Sequence, residues 1–213
     1  MNPLSRAVML SAALALAVPA FASTAFFPVR LAERVVVELP ADWKVVEGGP
    51  RGKPEDTVAW EARAHGEIDA ASALRFAADA YDADGRVAAR VAVRYHPWQK
   101  VAQQDVAEAT EYEVQQIDQA TREAVEKSVG KLGVSVLEWK GTAKRDFHGA
   151  SALVTEYKRS PYDGNGTFVV RMLRVFDGPH SFTVTVSYRE ADAERLAPVC
   201  DRILASLHRA SQP

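Results

Sequence analysis

The chain has 213 residues, 26 basic and 28 acidic, with a formal charge of −2 and a single cysteine. Charge this close to balance excludes the broad basic surface of a nucleic-acid binder. With Cys200 alone, no intramolecular disulfide can form, so stability has to come from ordinary packing.

The amino terminus reads Met1-Asn2-Pro3-Leu4-Ser5-Arg6, then an apolar run from Ala7 to Val18, then Pro19-Ala20-Phe21-Ala22-Ser23. One positive charge, an apolar stretch and the small residues Ala20 and Ala22 make the pattern of a cleavable secretory signal, with cleavage expected after Ala22. The apolar run is about a dozen residues, whereas a helix needs about 20 to cross the hydrocarbon core. No Cys follows the cleavage position to accept a lipid, so the expected product is soluble, without a stable membrane anchor, and periplasmic or secreted. Residues 1–22 are thus expected to be a signal and residues 23–213 a single domain, a length that supports one core. Loss of Arg6 leaves 25 basic residues against 28 acidic ones, a formal charge of −3.

From Arg34 to Leu39 the β-branched run reads as a strand that stops at Pro40. The breakers and charges from Gly48 to Asp56 predict a surface loop, followed by a strand near Val58 to Ala64. Period-two alternation from Leu74 to Tyr81 and from Val87 to Tyr95, on either side of Asp82-Ala83-Asp84-Gly85, predicts a hairpin. Arg90 and Arg94 fall opposite the valines, on a face expected to be wet. The period then changes: between Gln103 and Val129 the residues Val106, Ala107, Thr110, Val114, Ile117, Thr121, Ala124 and Val125 share one arc, which predicts a single helix lying on a sheet. Gly130 and Gly133 end it. Val134 to Asp146, Ala152 to Arg159, Thr167 to Asp177 and Ser181 to Tyr188, joined by short turns, predict an antiparallel meander. Ala191 to His208 predicts a closing helix that Pro198 either starts or kinks.

The histidines His65, His96, His148, His180 and His208 show no metal-ligand spacing, and no metal or other cofactor is expected. Gly149-Ala150-Ser151-Ala152-Leu153 half matches a nucleophile elbow but leads into a strand where the hydrolase needs a helix. Ser128-Val129-Gly130-Lys131 has serine-lysine spacing without the companion motifs. Asp163-Gly164-Asn165-Gly166 lacks the distal Glu of a calcium loop and reads as a turn. Cys200 lies near the apolar stripe of the last helix, where a lone thiol packs as a small hydrophobe. The acids from Asp105 to Glu126 read as a solvated helix face. No catalytic residue is assigned. Tyr95, His96 and Trp98, at the junction between hairpin and helix, are the candidate lining of a ligand or partner cleft.

The corner Leu39-Pro40-Ala41-Asp42-Trp43, the stretch from Phe147 to Tyr157 and the closing Arg202-Ile203-Leu204-Ala205-Ser206-Leu207 together resemble the PsbP-like fold family, including exported DcrB-type bacterial proteins. The resemblance implies an α+β fold, an antiparallel sheet covered by helices in an α/β/α sandwich. It also implies an accessory role, binding an envelope protein or a small ligand without catalysis. The lipidated Cys of the lipoprotein members has no counterpart here, and no family-wide catalytic residues exist to carry over. The competing expectation is a hydrolase-like periplasmic enzyme whose residues converge only in space, around His96, Trp98 and the acidic helix.

Overall fold

The computed structural model describes residues 25–30, 35–46, 73–96, 101–162, 166–178 and 180–209. The signal segment, the Val58 to Ala64 strand, Trp98 and the Asp163 turn lie outside the described residues. In chain order the elements are β1 (Phe26–Arg30), β2 (Val35–Pro40), β3 (Lys44–Val46), β4 (Ala73–Tyr81), β5 (Val87–His96), α1 (Gln103–Glu108), α2 (Glu111–Gly130), β6 (Val136–Phe147), β7 (Ala150–Arg159), β8 (Phe168–Asp177), β9 (His180–Arg189), α3 (Ala193–Ser206) and β10 (His208–Arg209). A short 3-10 turn over Glu190–Asp192 leads into α3.

The β4–β5 hairpin and the β6–β9 meander join through β5 and β9 into one seven-stranded sheet, ordered β3-β4-β5-β9-β8-β7-β6. Every pairing is antiparallel. Alternation gives this sheet two buried faces. On one, Ala78, Val91, Val93, Leu173, Val184 and Val186 pack with Leu196, Cys200, Ile203 and Leu204 of α3. On the other, Tyr157 and Val170 meet Val125 and Val129 of α2, while Leu153 and Phe176 meet Val106 of α1. A smaller sheet, β1-β2-β10, adds Val35, Val37 and Leu39 to the α3 side of the core. The result is the expected α+β arrangement of an antiparallel sheet covered by helices.

Three expectations need correction. The helix over Gln103 to Val129 is two helices, broken at Ala109 and Thr110. Thr110 starts the second one: its hydroxyl accepts from the Glu113 amide, and the Glu113 carboxylate accepts from the Thr110 amide at 2.8 Å. That reciprocal capping box sets a fresh amino terminus. Backbone hydrogen bonding to Thr110 also lowers the Glu113 pKa. Because the axis changes there, Ala107 and Thr110 are exposed, although the single-helix arc put them inward.

Arg90, expected on a wet face, is only 6% exposed. It stands directly across from Asp79 on β4. Its Nε and Nη2 donate to the two carboxylate oxygens at 2.6 and 2.8 Å, a bidentate fork that lets both charges sit under cover. Finally, the closing helix ends at Ser206, and His208 enters β10 beside β2. Pro198 lies inside the helix.

Candidate functional site

The β6–β7 and β8–β9 turns fall at the same end of the large sheet, and the carboxyl end of α3 comes down over them. A crevice of about 290 Å3 lies between, lined by Val35, Phe147, His148, Ala150, Val175, Phe176, Asp177, Phe182, Leu207 and His208. Register explains the aromatic wall: Val175 pairs with Phe182 on β9 and with Ala152 on β7, and Phe147 pairs with Ala150 across the turn. The volume is at the lower edge of the range of about 300–1,000 Å3 typical of ligand pockets, and the lining has their usual character, apolar with few polar groups. A wider, open basin lined by Glu38, His148, Arg202, Ala205, Ser206 and His208 adjoins it, sharing both histidines.

The rim is held by backbone geometry. His148 and Gly149 make the two-residue turn between β6 and β7 with φ of 52° and 78°, positive at both central positions as hairpin turns of this kind require. Glycine reaches that conformation freely, whereas a non-glycine residue there pays in steric strain. An offsetting contact is present: His148 Nε2 donates to the Ala205 carbonyl at 3.0 Å, satisfying one of the carbonyls that a helix leaves open at its carboxyl end. The Phe147 ring meets the His148 ring edge-on at 4.4 Å. His208 Nδ1 donates to the Ser206 carbonyl at 2.7 Å. The Ser206 hydroxyl donates to the Ile203 carbonyl and accepts from the Glu38 amide. In the basin, Arg202 donates from Nε and Nη2 to Glu38 Oε2 and lies 3.8 Å over the Phe26 ring.

Of the residues singled out in the sequence, Tyr95 backs this crevice. Its ring packs 5.2 Å from that of Phe182, and its hydroxyl is 2.9 Å from His180 Nδ1. His96, the next residue, faces the opposite side of the sheet, 3.2 Å from Thr183 Oγ1. The strand that carries both therefore parts them. Sequence reasoning missed Phe147, His148, Val175, Phe182, Leu207 and His208 as a group, because they come from four elements whose convergence depends on the packing of α3. The one local signal was His148-Gly149, a turn dipeptide ahead of a strand.

The other candidates resolve into structural roles. Cys200 is fully buried, and burial pushes its thiol up to about 12, which removes the thiolate a nucleophile needs. Ser151 lies in β7, paired with Asp146 across the hairpin, so the nucleophile-elbow geometry is not formed. Ser128 is buried on α2. Asp105 accepts from the Ala102 amide at the start of α1, Glu113 closes the capping box of α2, and Asp118 accepts from Trp139 Nε1 and the Thr142 amide. Among the described residues no group of His, Cys, Asp and Glu is placed to hold a metal ion, and no helix is long and apolar enough to cross a membrane.

No family model matches the chain, and no curated protein matches it. Solved structures do. PsbP (CyanoP) from the cyanobacterium Synechocystis aligns over 90% of this chain and 96% of its own, with a TM-score of 0.56 at 11% identity. LpqN of Mycobacterium tuberculosis, described as involved in cell envelope biogenesis, aligns over 89% of this chain and 92% of its own, at 11% identity and a looser TM-score of 0.40. At such identities the likeness speaks to architecture alone. By its antiparallel sheet, the helices on both faces and the match to CyanoP, this chain has a PsbP-like α+β fold.

Proposed function

We propose that this is an exported, soluble accessory protein that binds an envelope partner or a small ligand through the crevice at the carboxyl end of α3, without catalysing a reaction. The crevice carries the reading: aromatic and aliphatic side chains line it, and its two imidazoles are each tied to a backbone carbonyl of the α3 terminus. Groups held that way orient a ligand, whereas a general base needs a nucleophile within hydrogen-bond reach. Export rests on the amino-terminal pattern, with release after Ala22.

Two measurements test the reading. Amino-terminal sequencing of the exported form is expected to begin at Ser23; a chain that begins at Met1 and stays with the inner membrane overturns the export half. Affinity capture from periplasmic extract, run in parallel with an Ala150→Trp variant that fills the crevice, tests the other half. A partner retained by the wild type and lost by the variant supports binding there. Equal recovery by both, or no partner and no ligand-induced stabilisation, counts against it.

A further inference from the structure

Building on that reading of the crevice, we infer that its ligand is a small amphiphile: an apolar chain or ring in the crevice and a head group that donates hydrogen bonds, an alcohol or an amine, in the adjoining basin. The two cavities meet at His148 and His208; aromatic and aliphatic residues dominate the lining of one, whereas Glu38, Arg202 and Ser206 line the other. At about 30 Å3 per atom-sized unit, the crevice holds about ten non-hydrogen atoms, a medium-length chain or a substituted ring.

The head-group chemistry follows from the tautomers. A carbonyl only accepts, so the nitrogens that face Ala205 and Ser206 must carry the protons: Nε2 in His148 and Nδ1 in His208. In a neutral ring the other nitrogen is then a bare acceptor. His148 Nδ1 and His208 Nε2 are those atoms, and neither is hydrogen-bonded among the described residues. In the basin, Glu38 and Arg202 are paired with each other, so their charges balance and the open polar atoms are the two imidazole acceptors. An alcohol or ammonium head meets acceptors there, whereas a carboxylate head meets only lone pairs.

The test is calorimetric titration of the mature full-length chain at mildly alkaline pH, with 1-octanol, octylamine and octanoate as probes, and methanol as a head without a chain. Octanol and octylamine are expected to bind saturably, octanoate at least about tenfold more weakly, the cost of one hydrogen bond left unmade, and methanol not at all. Ala150→Trp is expected to abolish binding of the two favoured probes. His208→Phe keeps a ring at an exposed position and removes the acceptor, and should weaken octanol by about tenfold while the protein stays folded. Octanoate binding as tightly as octanol, or octanol binding unaffected by Ala150→Trp, overturns the inference. If none of the probes binds while Ala150→Trp still abolishes partner capture, this ligand class is wrong and the accessory reading stands; if both fail, both fall.

Discussion

Asp79 and Arg90 hold opposite charges in the middle of two paired strands, with side chains 2% and 7% exposed. Desolvating such a pair is costly, and their mutual fork offsets it, helped by the Tyr81 hydroxyl, which donates to Asp79 at 3.4 Å; removal of one partner leaves the other's charge buried without its counter-ion. Asp79→Ala is expected to destabilise the protein by about 3–5 kcal/mol, while the double change Asp79→Val with Arg90→Met should come close to the wild type or exceed it. Urea unfolding monitored by circular dichroism decides between these. Asp82, in the β4–β5 turn, shows a different linkage. Its carboxylate accepts from the Asp84 and Arg86 amides and pairs with Arg189, and the Arg86 amide first, then Arg189, lower its pKa from 3.8 to about 2. A carboxyl depressed on folding stabilises the protein above the unfolded value, and that contribution is lost as pH falls through the folded one. The stability difference between wild type and Asp82→Asn is therefore expected to be constant above pH 3.8 and to shrink between there and pH 2. A difference that grows with acidification would contradict this. At the crevice rim, His148→Ala loses the bond to Ala205 and keeps the positive φ, whereas His148→Gly loses the bond and relieves the backbone. Alanine should be the worse replacement by about 1 kcal/mol.

At the scale of elements, the two helices on the far face are set by contacts at their ends. Lys144 donates to the carbonyls of Ala107 and Ala109 where α1 stops, and the Thr110 box starts α2. Thr110→Ala should cost about 1 kcal/mol and fray the first turn of α2, visible as faster amide exchange at Val114 and its neighbours. Asp118 anchors the middle of α2 to the edge strand β6 through the Trp139 indole and the Thr142 amide, at 2.9 and 2.6 Å. Here lies the boundary of what periodicity reveals. Strand alternation placed the β4–β5 hairpin and the meander closely, because sheet period depends on neighbours in the chain. The helix break was present as Thr110-Glu111-Tyr112-Glu113, a capping-box sequence, but the apolar arc that ran through it outweighed it. Arg90 was placed on the solvent side for a similar reason: alternation tells which residues share a face, and whether that face is covered depends on elements far along the chain.

For the whole molecule the decisive event is the seam between β5 and β9, which merges a local hairpin with a local meander over the register from Ala89↔Tyr188 to His96↔Ser181. No pattern within either unit names the other as its neighbour. The seam creates a continuous apolar face, and α3 is the layer that closes it, with Leu196, Cys200 and Ile203 at 2%, 0% and 0% exposure. The same helix brings its carboxyl end to the turns and so makes the crevice wall through Leu207 and His208. Fold and candidate site therefore depend on one late element, and that dependence gives a sharp expectation. A chain ended after Glu190 exposes Val91, Val93, Val184 and Val186, which pack with α3 in the full chain. Each large aliphatic side chain withdrawn from the core forfeits about 1.5–3 kcal/mol, which for Leu196, Ile203 and Leu204 together approaches the entire stability of a domain, about 5–15 kcal/mol. The truncated chain should be insoluble or expanded, with dye binding and loss of near-ultraviolet dichroism, and should bind no probe. Recovery of a cooperatively unfolding truncated protein would show that the sheet is stable without α3, and would separate the crevice from the core.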